Sequence, residues 1–123
     1  MTDITGFGLL GHAAEMAAQS DATLVVDAAA LPELPQARHF AGAGALTGGG
    51  GRNVEQLAGR VQLPDGVDDE THALLFDPQT SGGLLISVPA HGADSLCAAI
   101  AEKEGGCWRI GEVEAGPPAV RVR

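Results

Sequence analysis

Asp3, Thr5, Gly6 and Gly8 stand together in the opening stretch Met1-Thr2-Asp3-Ile4-Thr5-Gly6-Phe7-Gly8, which runs straight into the apolar segment from Leu9 to Ala18. A carboxylate two residues before a hydroxyl, then two glycines, then a helical pattern, places an acid and a row of unpaired backbone N–H groups at one helix start. Glycines let the backbone approach an anion closely, and the N–H groups and helix dipole favour negative charge. Asp3 can then hold a hard cation between itself and that anion. The expectation is a metal at Asp3 and a phosphate against Thr5, Gly6 and Gly8. A purely local reading competes with it, in which Thr5 caps a helix and the glycines make a tight turn.

Other groupings are weaker. His12 and Glu15, three apart on the same helix, lack a third ligand and read as a solvated face. Gly6, Gly8 and Gly11 spell G-x-G-x-x-G, but no strand is expected ahead of them and no acid ends a second strand at the expected distance, so a dinucleotide site is not expected. Thr47-Gly48-Gly49-Gly50-Gly51-Arg52-Asn53 lacks the lysine and frame of a P-loop and reads as a flexible loop that can lie over a site. Asp77-Pro78-Gln79-Thr80-Ser81-Gly82-Gly83 is dense in small polar residues and reads as a turn or as a close backbone approach to a ligand, with Asp77 as a candidate second acid.

The bulk composition narrows the class. At 123 residues the chain suits one domain, long enough to bury roughly two thirds of its unfolded surface. Apolar residues make up 45% and charged ones 19%, which excludes a disordered chain, while aromatics at 3% leave the core to Ala, Leu, Val and Ile. Sixteen acids against seven bases give a net charge of -9, which excludes a nucleic-acid footprint. A phosphate ligand would then need a cation or basic groups from outside the chain, and this favours the metal reading of Asp3. Cys97 and Cys107 are too few for a disulfide framework and fit no zinc spacing, so both are expected as buried structural thiols. No secretory signal and no apolar run near the roughly 20 residues of a membrane span are found, so the expected compartment is the cytoplasm.

The elements that must position these residues follow in order. Phe7, Leu10, Ala13, Ala14 and Ala17 recur at helical spacing, predicting a helix from Gly6 to Ser20 capped by Thr5 and closed by Asp21. Thr23 to Asp27 reads as a buried strand, and a short helix starts at Pro35 with Arg38 and His39 facing water. Asn53 with Gln56 forms a capping box for a helix from Val54 to Ala58, ended by Gly59. Arg60 to Leu63 is a strand, and Asp68 or Asp69 caps a helix through Leu75 that Pro78 stops. Leu84 to Val88 reads as a buried strand. Ala93, Leu96, Cys97, Ile100 and Ala101 give an amphipathic helix terminated by Gly105-Gly106, and Trp108 to Val113 and Ala119 to Val122 are closing strands. Strands alternate unevenly with helices and the last two are adjacent, which predicts an α+β domain with a mixed β-sheet covered by helices.

Thr2-Asp3-Ile4-Thr5-Gly6-Phe7-Gly8-Leu9-Leu10-Gly11-His12, Gly49 to Asn53, Asp77 to Leu85 and Ile110-Gly111-Glu112-Val113, taken together and in this order, resemble selenophosphate synthetase (selenide, water dikinase). The resemblance spans nearly the whole chain but concerns only the carboxy-terminal half of that enzyme. It implies the fold of the carboxy-terminal domain of aminoimidazole ribonucleotide synthetase. It also implies a reaction in which ATP, selenide and water give selenophosphate, AMP and phosphate with Mg²⁺ spanning the phosphates, in a protein that is a homodimer at full length. Asp3 corresponds to the carboxylate that this half contributes to the metal cluster. The family's nucleophilic cysteine or selenocysteine, its lysine and most ATP contacts lie in an amino-terminal ATP-binding domain, and neither Cys97, Cys107 nor Lys103 matches them. The family also places a strand and a helix ahead of the Asp3 motif, so residues 1–123 are expected to be a fragment without kinase activity alone. The family's loop of a glycine pair, threonine and asparagine appears here as four glycines before Arg52-Asn53. Two other readings remain: a stand-alone binding module of the same fold, and the corresponding half of a related ATP-dependent synthetase.

Overall fold

Four short strands form the main sheet of the computed structural model, which describes residues 1–104 and 106–123. The chain order is β1 (Thr2–Asp3), α1 (Gly8–Ser20), β2 (Thr23–Val26), a 3₁₀ turn over Ala28–Ala30, α2 (Ala37–Gly42), α3 (Gly48–Gln56), β3 (Val61–Gln62), α4 (Asp69–Phe76), β4 (Leu84–Leu85), α5 (Ala90–Glu104), β5 (Gly111–Glu114) and β6 (Ala119–Val122). The sheet runs β3-β6-β2-β5, with β2 parallel to β6, β3 parallel to β6 and β5 antiparallel to β2. A separate antiparallel ribbon joins β1 to β4. This mixed sheet with helices is the α+β arrangement expected. No helix of the described residues is long and apolar enough to cross a membrane.

The core explains the order. The α1 stripe of Leu10, Ala13, Ala14 and Ala17 is buried against Leu24 and Val26 of β2 and Val120 and Val122 of β6, with Leu75 and Phe76 of α4 beside it. The alanines let the α1 backbone come close to the sheet, which a core poor in aromatics requires. Asp21 closes α1 in the left-handed conformation, its φ at 49°, as expected of a residue tolerated there. On the far face the exposed ion pairs Arg121–Glu114 and Arg123–Glu112, each 2.8 Å, reach across β2 to tie the β6 end of the chain to β5.

Several expected elements are redrawn. A two-residue strand does precede the opening glycines, but β1 pairs antiparallel in a ribbon and not as the first strand of a parallel βαβ unit, so the dinucleotide reading gains nothing. The strand expected from Leu84 to Val88 shrinks to Leu84–Leu85, and Leu84 is exposed because β1 is its one strand partner among the described residues. The closing strand starts at Gly111 instead of Trp108, where a Cβ would meet the Val25 carbonyl; glycine there admits the close approach of β5 to β2. Arg38 does not simply face water: it pairs with Glu33 and Asp68 and donates to Thr71 Oγ1 at 2.7 Å, joining α2 to α4. Cys97 and Cys107 are free and only half-buried, because the α5 face that carries Cys97 is itself half-covered. Contact with the Cys107 thiol, with a smaller contribution from burial, pushes Cys97 above the ordinary thiol range, which argues against a reactive thiolate. Gly105, one of the two glycines expected to end α5, lies outside the described residues.

Asp68 caps α4 as expected, accepting from Thr71 N at 2.8 Å and from Thr71 Oγ1 at 2.8 Å. These two hydrogen bonds, with Arg38 nearby, hold its carboxyl below the usual range. A depressed folded-state pKa gives stability that is present above the unfolded value of about 3.9 and lost as pH falls through the folded one. Thermal melts below about pH 4 should therefore show the wild type losing its advantage over Asp68→Asn, which keeps a cap but cannot titrate.

Candidate functional site

Three stretches singled out in the sequence meet at the entrance of α1. The β1/β4 ladder continues past the strands, with Ile4 N donating to Gly83 O at 2.9 Å and Gly82 N donating to Ile4 O at 3.0 Å. Ile4 is buried, and a Cβ on Gly82 would lie 2.8 Å from its Cγ2, so glycine there lets the two segments close together. Alternation along the strand then turns Asp3 away from the buried Ile4 toward the opposite side. Asp3 is exposed, and none of the ion pairs among the described residues involves it.

Thr5 is tied down differently from expectation. It does not cap α1: Phe7 is the N-cap residue and supplies no side-chain bond, so the helix start is left without a side-chain acceptor. Instead the Thr5 carbonyl accepts from Gly8 N at 2.9 Å and Gln79 N at 3.0 Å, and its hydroxyl meets His12 Nε2 at 3.0 Å. His12 Nδ1 in turn lies 3.0 Å from Glu15 Oε2. His12 is 7% exposed, so the pair expected on a solvated face is a buried imidazole held between two partners. Gly6 has open space where a side chain would be, and Gly8 turns at φ +68° with its Cα so near Asp77 that a Cβ would sit 2.8 Å from that carbonyl oxygen.

The glycine run is not a flexible loop. Gly48–Gln56 is helix α3, capped by Thr47, whose Oγ1 accepts from Gly50 N at 3.3 Å. Glycine is a poor helix former, but a Cβ on Gly49 would lie 2.5 Å from Pro78 Cγ, so the bare backbone is what allows this turn to pack on the Asp77-Pro78 segment. Thr47 Oγ1 also donates to Asp77 Oδ1 at 3.4 Å, and Gln79 Nε2 donates to Asp77 Oδ2 at 2.9 Å. Asp77 is thus engaged in holding α3 to the turn and is not a second free acid.

Asn53, expected as a helix cap, lies inside α3 and is 5% exposed. Its Nδ2 donates to Gly6 O at 3.1 Å and Phe76 O at 3.0 Å, linking the opening stretch, α3 and the end of α4 through one amide. The sequence signal for this role is slight: an amide following a run too bare to pack by itself. Asn53→Ala would leave two carbonyls short of a donor in a buried place, and should cost about 2 kcal/mol in chemical denaturation.

Asp3 offers a hard, exposed oxygen donor of the kind a divalent cation takes, and the open start of α1 suits an anion. No group of three or more metal-ligating side chains occurs among the described residues, so these residues by themselves complete no metal site. Asp3, Thr5, Gly6 and Gly8 are brought to one place; His39, Arg38 and the two cysteines belong to other parts of the fold.

Residues 1–123 match the family described as "AIR synthase related protein, C-terminal domain". Among curated proteins the chain is 40% identical over 113 residues to a selenide, water dikinase of Nitratidesulfovibrio vulgaris (strain DP4), covering 92% of this chain and 32% of that protein. It is 46% identical over 114 residues to that of Caldanaerobacter subterraneus subsp. tengcongensis, covering 92% and 33%. To that of Paraburkholderia xenovorans (strain LB400) it is 43% identical over 123 residues, covering 99% and 35%. These relatives bear out the resemblance carried by the motifs. The chain spans about a third of the length of the relatives it matches.

Proposed function

Since the chain belongs to the family of AIR synthase related proteins, C-terminal domain, we propose that it is the carboxy-terminal part of an ATP-dependent selenophosphate synthetase. The reaction converts ATP, selenide and water to selenophosphate, AMP and phosphate. The observation that carries this reading is the exposed Asp3 carboxylate in front of an uncapped helix start, in no ion pair and in no group of three metal-ligating side chains among the described residues. An incomplete site of this kind makes sense as one wall of a larger one, and the relatives' threefold greater length is in keeping with that.

In this reading Asp3 is the ligand this chain lends to Mg²⁺, and an amino-terminal ATP-binding domain supplies the remaining ligands, the nucleophile and most nucleotide contacts. When bound, the ion neutralises charge on the phosphates during transfer. The residues of this chain hold and orient. The ladder from Thr2 to Ile4 fixes the direction of Asp3, Gly6 leaves open space ahead of α1, Gly8 lets the helix start pack against the Asp77 backbone, and Asn53 fastens the underlying turn. The acidic surface, at net charge -9, repels a free polyanion, so nucleotide affinity has to come from the cation and the partner domain.

The test uses the longest polypeptide that carries residues 1–123. Incubated with ATP, Mg²⁺ and selenide, it should form AMP and a selenophosphate resonance in ³¹P spectra only when selenide is present. Nucleotide turnover driven instead by sulfide or a purine intermediate would overturn the assignment.

A further inference from the structure

The hydrogen-bond run Thr5–His12–Glu15 has no part in the function as described, and its geometry constrains where a proton sits. Glu15 as a carboxylate only accepts, so the imidazole nitrogen facing it, Nδ1 at 3.0 Å, carries the hydrogen. A neutral imidazole with Nδ1–H has a bare lone pair on Nε2, and the group facing that lone pair, also at 3.0 Å, is the Thr5 hydroxyl. In that neutral form the hydroxyl's single hydrogen goes to His12 Nε2. What remains on Thr5 is lone pairs.

We propose that His12 and Glu15 are positioning residues that hold the Thr5 hydroxyl as a donor to His12 Nε2, so that Thr5 meets a ligand at the α1 entrance only as an acceptor. Its partner there is a proton donor, a water carried by the divalent cation, and not a phosphate oxygen. This rests on the reading of Asp3 as a cation ligand. Asp3 and Thr5 lie two residues apart where the chain leaves β1, so their Cα atoms are within roughly 7 Å of each other, a separation that accommodates a cation on the first and one of its waters on the second. The buried position of His12, at 7% exposure, keeps water from competing for Nε2, while the Glu15 side chain at 54% stays reachable from solvent. Phosphate contact then falls to the backbone N–H groups of the α1 start, which cannot change polarity.

The experiment uses the ¹⁵N-labelled chain at about pH 8, above the ordinary histidine range. Two-bond ¹H–¹⁵N correlations of its four histidines, with His12 assigned by His12→Gln, should show a protonated Nδ1 and a bare Nε2, opposite to the tautomer free histidine prefers. Glu15→Gln, at a half-exposed position, should reduce that preference. Mn²⁺ as probe should broaden the Gly6 and Gly8 amides, several-fold less in Thr5→Val and unchanged in Thr5→Ser, while inorganic phosphate should shift the same amides equally in all three. An Nε2–H tautomer or an imidazolium overturns the proposal. So does Mn²⁺ broadening that survives in Thr5→Val but not in Asp3→Asn, or phosphate binding lost with the hydroxyl. Broadening that survives in Asp3→Asn removes the cation reading itself, and this inference with it.

Discussion

On the proposed function, Asp3→Asn in the longer polypeptide that carries residues 1–123 is expected to lower selenide-dependent AMP formation by about 10²–10³-fold in kcat while leaving the circular dichroism and melting temperature unchanged. The size follows from what is lost. Asn keeps the shape and one neutral oxygen but gives up the charge that a hard cation requires, and the stabilisation concerned is realised as charge develops on the transferring phosphoryl group. Stability should be spared, because Asp3 is exposed and none of the ion pairs among the described residues involves it; what it gives the fold is its backbone pairing with Leu84. With no group of three ligands among the described residues, the chain should form no AMP from ATP, Mg²⁺ and selenide above the rate of a no-protein control. Measurable turnover by the chain alone would show that the missing ligands lie within it.

Gly8→Ala is expected to have the largest effect on stability, about 3 kcal/mol or more, read as a fall of roughly 10 °C in melting temperature. Two penalties add at this position. An L-residue at φ +68° costs about 1–2 kcal/mol by itself, because Cβ crowds the carbonyl in the left-handed region. The new methyl would also lie 2.8 Å from Asp77 O and 3.2 Å from the Phe76 carbonyl, and those are backbone atoms that cannot swing aside. Asn53 donates to that same Phe76 carbonyl, so any retreat of the α4 end stretches the amide tie as well. Gly6→Ala makes the control: open space surrounds its missing side chain, its φ is not in the left-handed region, and the melting temperature should move little. If the two variants melt alike, the close approach of Gly8 to Asp77 is not what holds this corner.

The sequence carried the long elements and the meeting of the motifs better than the local details of the site. The α1 stripe, the buried β2 run and the Asp68 cap each leave a pattern several residues long or a specific capping residue, and all three appear where expected except Phe7, expected in the stripe, which stands outside α1 and half-exposed. The β1/β4 ribbon was invisible because two-residue strands have no periodicity to detect; its edges are set by the glycines at 82 and 83, not by side-chain alternation. Helix α3 stands where a flexible loop is expected, for a physical reason. Four consecutive glycines carry a large propensity penalty, and the close packing of Gly49 on Pro78, together with the Thr47 cap, overrides it. Thr5 and Asn53 were both expected as caps because their side chains favour that role locally, and both are diverted to distant partners, His12 and the Gly6 and Phe76 carbonyls. Which of two possible hydrogen bonds a short polar side chain makes is decided by the fold around it.

The Asn53 amide has a consequence for how this corner comes apart. Three pieces of chain distant in sequence share one fastening, so releasing any of them costs that amide at least one of its bonds. Amide protons of the first turn of α1 and the middle of α3 should then exchange with solvent at one common rate, and a protease should find either an intact entrance or none.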